Sequence, residues 1–189
     1  MKLTLPAVFS AALFAVGAHA SPPPPPQTLA LVPSGGTIFG NSGGVVGWGY
    51  DFTNNDSADW VALNDSFVTG SLASGTFGNY MDYIALTFIV VNPSSSTGTV
   101  LFSQGVSGTG EFDIAPAVPS GTKITGDIGI DYTVFSQDPN SPSFDPNSFV
   151  AEGTVFANAE VVTPEPGLKW LTAAGLLPLA LAVWRRRQG

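Results

Sequence analysis

The sequence predicts an all-β protein: an antiparallel β-sandwich, with a jelly roll as its nearest variant, between an N-terminal signal peptide and a C-terminal transmembrane helix. Three observations carry this. Residues 28–162 alternate apolar and polar side chains with period two, the mark of strands with one face in a core and one in water. Clusters of Gly, Pro, Asn, Asp and Ser punctuate them at PSGG, GNSGG, NPSSSTG, VPSG and DPNSPSFDPN. No amphipathic helix of useful length precedes Leu168.

Taken from the N-terminus, residues 1–20 read MKLTLPAVFSAALFAVGAHA. Lys2 supplies a positive start, Leu5 to Val16 an apolar stretch, and Ala18-His19-Ala20 a small-x-small cleavage pattern. The Sec translocon and signal peptidase are the expected handlers, with cleavage between Ala20 and Ser21. The apolar run is short for roughly 30 Å of hydrocarbon, which disfavours an uncut anchor. His19, the only histidine, would leave with the leader. Residues 21–27, SPPPPPQ, read as a semi-rigid polyproline II spacer.

The domain at 28–162 follows. Thr28–Val32 is a short strand. In 45–52, Val46, Trp48, Tyr50 and Phe52 alternate with Val45, Gly47, Gly49 and Asp51. Asp59–Val68 is a third candidate. Tyr80–Val91, YMDYIALTFIVV, is apolar on both faces and predicts a central strand. Gly98–Phe102 is weaker. In KITGDIGIDYTVF, Ile124, Ile128, Ile130, Tyr132 and Val134 share one face, and Lys123, Thr125, Asp127, Asp131 and Thr133 the other. Ala151–Val162 closes the set. About seven strands in about 135 residues suit a sandwich, large enough to bury a core without disulfide or metal. Trp48, Trp60, Phe67, Phe88, Phe102, Phe112 and Phe156 are expected in that core, with Trp60, beside Asp59, the one with an open stacking role.

Residues 163–189 differ in kind. Leu168 to Trp184 is about 26 Å of apolar helix at 1.5 Å per residue, with Pro178 as a kink and Trp170 and Trp184 at interfacial positions. Arg185, Arg186 and Arg187 stop transfer and stay cytoplasmic by the positive-inside rule. Pro164-Glu165-Pro166, a hydrophobic helix and a terminal Arg cluster, in that order behind a signal peptide, resemble the PEP-CTERM sorting domain of Gram-negative bacteria. The resemblance covers Thr163 to Gly189. It implies handling by an exosortase, a membrane-embedded Cys protease-like enzyme, and export of a protein often linked to extracellular polysaccharide. Before processing, the body would be outside the inner membrane and the C-terminus inside; afterwards the body would lie in the envelope or outside the cell. An ordinary tail anchor shares this topology and differs in processing. The body is also similar to soluble domains found ahead of such tails, in GWGYDFTNNDSADWVALNDSFV and DYTVFSQDPNSPSFDP. That similarity implies a fold class and no activity.

Composition excludes most chemistry. The net charge of −8 is segregated: between Ser21 and Pro166, one base, Lys123, stands against all 14 Asp and Glu, leaving −13. Such a body repels phosphate backbones, so nucleic acid is not an expected partner. There is no cysteine, and the processed body would hold neither His nor Arg, which removes Ser-His-Asp and Cys-His nucleophile systems and histidine metal sites. A Ser-Lys pair would need Lys123, around which there is no motif. Carboxylates remain. Asp51, Asp56, Asp59, Asp65, Glu111, Asp113, Asp127 and Asp131 could supply a glycosidase pair, but no spacing selects one. No catalytic residue and no cofactor is assigned.

Calcium is a weak candidate at Asp51, Asp56 and Asp59 in DFTNNDSAD, and Asp138 and Asp145 lie in a second oxygen-rich loop. Neither loop has the spacing of a calcium-binding helix-loop-helix. The competing role is turn chemistry, in which Asp and Asn bond their own backbone. Asn55-Asp56-Ser57 and Asn64-Asp65-Ser66 match the N-glycosylation pattern, commonly a chance match in bacteria. The favoured reading is an exported, non-enzymatic envelope or extracellular-matrix protein, with the sorting enzyme and exopolysaccharide as partners. The alternative is a carbohydrate-binding module, calcium-assisted or not, stacking sugars on Trp60 or Tyr50.

Overall fold

A computed structural model describes residues 27–165. The signal peptide, nearly all of the proline spacer, Pro166, the helix expected at 168–184 and Arg185–Arg187 lie outside the described residues. Among the described residues no helix is long and apolar enough to cross a membrane.

The chain is mostly β and forms two five-stranded sheets. The first has the order β1 (Thr28–Val32), β3 (Val45–Asn54), β8 (Gly110–Ile114), β5 (Gly78–Asp82), with the two-residue β7 (Ser95–Ser96) also on β3. The second runs β2 (Thr37–Phe39), β10 (Phe149–Val162), β9 (Lys123–Phe135), β4 (Trp60–Val68), β6 (Ile89–Val91). Every pairing is antiparallel except β2 on β10, which is parallel. The expected all-antiparallel sandwich is corrected there: after β1 the chain turns a corner at Pro33–Gly36 and enters the other sheet running alongside β10.

The alternation read in β3 and β9 is what builds the core. Trp48, Tyr50 and Phe52 from one sheet meet Ile124, Ile128, Ile130 and Val134 from the other, all nearly or fully buried. Phe52 and Tyr132 meet edge to face with centroids 5.8 Å apart, a geometry aromatic pairs favour. Val61 and Leu63 of β4, and Phe112 and Ile114 of β8, complete the layer.

Tyr80–Val91 is not a central strand. The Asp82 carboxylate accepts the backbone N–H groups of Ile84 at 2.8 Å and Ala85 at 3.1 Å, closing a 3-10 turn over Ile84–Leu86. The segment thereby leaves the first sheet as edge strand β5 and enters the second as edge strand β6. Its apolar residues divide accordingly: Ile84 and Val91 are buried, whereas Phe88 is 68% exposed. The Gly98–Phe102 candidate reduces to one bridge, Tyr50 to Val100.

A β-bulge in β4 makes a further correction. Register slips between Leu63 and Asp65 opposite β9, so the inward set becomes Val61, Leu63, Ser66 and Val68. Phe67 moves to the outer face and is half-buried. The bulge lets Asn64 and Asp65 both face water; strict alternation would have put the Asp65 carboxylate in the core at high desolvation cost. Phe156, also expected inside, is 53% exposed on β10. Trp60 and Phe102 are half-buried, and Trp48 and Phe112 are fully buried as expected.

Candidate functional site

Three regions hold the residues singled out in the sequence. The first is the place where the fold ends. β10 stops at Val162, and Thr163 is tied on every side. Its carbonyl accepts from Gly121 N at 2.7 Å, its N–H donates to the Thr122 carbonyl at 3.0 Å, and its hydroxyl donates to the Pro119 carbonyl at 2.7 Å. Its hydroxyl also accepts from Thr122 N at 2.9 Å. Pro164 and Glu165, immediately beyond, are exposed. The Pro-Glu dipeptide therefore begins one residue after the last hydrogen-bonded position among the described residues.

The second region is the loop after β3. Asp56 is buried, and its Oδ1 accepts from Ala58 N at 2.8 Å and Asp59 N at 3.1 Å. Asn54, fully buried, accepts from Asp56 N at 3.0 Å through Oδ1, while its amide reaches the carbonyl oxygens of Asp59, Val91 and Asn92. Asp56 is thus a turn former whose oxygen already has two donors. Burial, then the charge of Asp56, raises the Asp59 carboxyl above its ordinary range. Asp51 lies on β3 opposite Ala30. Among the described residues no group of three acidic or histidine side chains is placed to share a metal ion. Asp138 and Asp145 likewise accept backbone N–H groups, from Asn140 and Asn147, each at 2.9 Å.

The third region is the outer face of the second sheet. Register places Asp65 beside Asp131, and Asp131 beside Thr154. The Thr154 hydroxyl donates to Asp131, and Asn64 Nδ2 donates to Thr133 Oγ1 at 3.0 Å. With Glu152 these groups line a shallow groove of about 300 Å³. Burial raises the Asp65 carboxyl first, then the charges of Asp131 and Asp82 and a hydrogen bond with Asp131. Aromatic groups stand on either side. Phe67 and Phe156 meet at 5.8 Å over Gly129, which lies between them in register. A Cβ on Gly129 would come within 2.5 Å of the Phe67 ring, so only glycine lets the two rings close over the strand. Toward the other end Trp60 pairs with Phe135, which meets Phe144 at 5.2 Å.

Chemically, this face is a hydrogen-bonding strip between aromatic groups. Asp65 and Asp131 are direct cross-strand neighbours, near enough for the Asp131 charge to raise the Asp65 carboxyl; a glycosidase pair stands about 5 Å or more apart with the scissile bond between them. Of the other acids, Glu111 accepts the Tyr83 hydroxyl and Asp127 accepts from Thr69. Lys123 pairs with Glu160 at 3.3 Å on the surface.

Tyr50, proposed from the sequence as an exposed stacking surface, is 2% exposed, because it is on the inward face of β3. Trp60 keeps partial exposure. The aromatic row through Phe67 and Phe156 was not legible in advance, since its signal, the bulge at Asn64, leaves no trace in the pattern beyond an Asn-Asp pair.

No family model matches the chain, and no curated protein matches it. Among solved structures it is similar to the ASH / PapD-like domain of human CEP192 (PapD-like domain 7), at 10% identity and a TM-score of 0.29, over 83% of this chain and 96% of that one.

Proposed function

We propose that this chain is an exported, non-enzymatic envelope or extracellular-matrix protein, sorted by an exosortase through its PEP-CTERM-like tail. The observation that carries the reading is the position of Pro164-Glu165. The two residues are exposed directly after Thr163, whose backbone and hydroxyl are all hydrogen-bonded. A processing enzyme could engage the motif without unfolding the sandwich, and cutting there would release an intact domain. The test is the intact mass of the protein from membrane and extracellular fractions of its native host. A species running from Ser21 to near Pro166 is expected. A membrane-bound species keeping Arg185–Arg187 as the sole product would reduce the tail to an anchor and end the sorting assignment.

A second reading, carbohydrate binding, is favoured by the outer face of the second sheet. Sugars bind proteins through ring stacking and hydroxyl hydrogen bonds, and the carboxylate-amide strip between Phe67–Phe156 and Trp60–Phe135 offers both. Retention on the host's own exopolysaccharide, lost in Phe156→Ser and in Asp65→Ala, is the expected result. Equal retention of both variants would remove this face from consideration.

A further inference from the structure

A separate cleft opens between the two sheets, where edge strand β6 faces the 96–108 connection of the first sheet. Its volume is about 450 Å³, within the range of small-molecule sites. Ile89, Val90, Val100 and Val106 supply apolar walls, and no charged side chain lines it. The sequence from Tyr83 to Gly110 contains no Asp, Glu, Lys or Arg at all, in a domain otherwise dense in carboxylates. Leu86, Phe88 and Leu101, next in sequence to lining residues, are exposed, and Val106 at the rim is 73% exposed.

Each of the hydroxyls of the cleft but one makes at least one hydrogen bond within the chain. Thr87 Oγ1 donates to the Ile84 carbonyl, Thr97 Oγ1 to the Gly98 carbonyl and Ser107 Oγ to the Leu101 carbonyl. Ser96 Oγ accepts from Gly98 N, and Tyr83 is held by Glu111 and Gly105. Tyr50 is the exception. It is buried, lines the cleft, and its hydroxyl has no hydrogen-bond partner among the described residues. Burial pushes that hydroxyl up to about 12, so it stays neutral and can both donate and accept. The oxygen itself keeps access to the cleft, so a ligand's oxygen can reach it.

We propose that this cleft binds a neutral single-chain amphiphile, an alkyl or acyl chain lying against Val90, Val100 and Val106 with one uncharged oxygen hydrogen-bonded to Tyr50 Oη. The class follows from what the walls can satisfy. A sugar would lay several hydroxyls against the aliphatic walls of Ile89, Val90, Val100 and Val106, where they have no partner. A carboxylate or phosphate would lose its hydration with no cation in the lining to replace it. One oxygen on an apolar chain leaves neither deficit.

The experiment titrates the full chain, with Ile and Val methyls labelled for NMR, with 1-decanol, decanoate and decane. Saturable shifts confined to Ile89, Val90, Val100 and Val106 are expected with decanol, and about tenfold weaker binding with decanoate. Tyr50→Phe keeps the ring and should weaken decanol by about threefold to tenfold without changing decane. Val106→Asp, at the exposed rim, should abolish binding of decanol and decane while the fold is retained. Equal affinity for decanol and decanoate, or an unchanged decanol affinity in Tyr50→Phe, would overturn the proposal. So would binding to uncharged phosphatidylcholine vesicles that Val106→Asp removes and Tyr50→Phe does not, since the flank would then be a membrane contact. All of these outcomes, the vesicle comparison included, are read at the cleft methyls, so none depends on whether the tail is cut or itself meets lipid.

Discussion

Trp48 donates its indole N–H to the carbonyl oxygen of Gly36 at 2.6 Å, and this bond ties the two sheets together at the corner where the chain passes from one to the other. Trp48 is fully buried at the centre of β3, and Gly36 ends the turn between β1 and β2. A buried indole is well placed for this, because its ring fills the core and its single donor finds a backbone acceptor.

Replacing Trp48 by Phe keeps an aromatic ring, removes ring volume and leaves the Gly36 carbonyl without its donor. The expected loss is about 2–4 kcal/mol, from a partial cavity and an unpaired buried acceptor together. Urea unfolding followed by tryptophan-independent circular dichroism would read it as a lower midpoint at unchanged slope. A loss below about 1 kcal/mol would mean that the bond contributes little to the corner.

Gly126 lies where Thr69 crosses β9. A Cβ there would sit 2.1 Å from the Thr69 carbonyl oxygen. That oxygen cannot retreat freely, since Thr69 N donates to the Asp127 carbonyl at 2.9 Å and Asp127 N donates to Thr69 Oγ1 at 3.0 Å. Gly126→Ala should destabilise by about 1–3 kcal/mol or more through backbone displacement. Faster amide exchange at Thr69 and Asp127 should accompany the loss, and wild-type exchange rates at both would contradict the crowding argument.

Asp65 titrates above its ordinary value of 3.8, because of burial and then Asp131 and Asp82. The folded state therefore holds this proton more tightly than the unfolded state does. The contribution of Asp65 to stability falls as pH rises from 3.8 through the raised value and is constant above it. Asp65→Asn removes the charge, and should raise stability at neutral pH by about 0.5 kcal/mol, in keeping with an exposed pair. The advantage over wild type should shrink as pH falls through that window. Thermal midpoints of both proteins between pH 4 and 7 decide it, and a constant difference would dissociate Asp65 from the effect.

The parts of the fold that depend on alternation were legible in the sequence. β3 and β9 show their inward sets directly, and the domain's end coincides with the start of the Pro-Glu motif. What escaped depends on partners distant in sequence. Asp82 reads as one polar residue in an apolar run, yet its carboxylate caps the turn that sends the chain from one sheet to the other. The bulge beside Asn64 reverses the facing of Phe67 without altering local composition. Short strands such as β2 and β7 are too brief to show a period, and they exist because β10 and β3 offer them backbone partners. The cleft at Tyr50 follows from the gap between sheets, to which alternation within one strand is blind.

Asn54 shows most clearly why the Asp-rich loop is built as it is. Its amide nitrogen faces three carbonyl oxygens, of Asp59 at 2.8 Å, Asn92 at 3.1 Å and Val91 at 3.2 Å, joining β3, the loop and β6. Asn54→Asp keeps the shape and replaces the donors with a carboxylate oxygen among acceptors, close to Asp56 and Asp59. The expected cost at neutral pH is about 3–5 kcal/mol, as for other buried charges left without a partner. That acid would have a raised pKa in the folded state, so the variant's stability should recover as pH falls through it toward the ordinary value near 4. Asn54→Ala, which loses the bonds but adds no charge, should be destabilised by an amount that does not change over the same range. Denaturant midpoints for the two variants at pH 4 and pH 7 separate them, and parallel pH profiles would show that the carbonyl cluster does not select for a donor. Millimolar calcium offers a further readout: rescue of Asn54→Asp but not of Asn54→Ala would mean that the loop accepts a cation once the amide is replaced by a carboxylate.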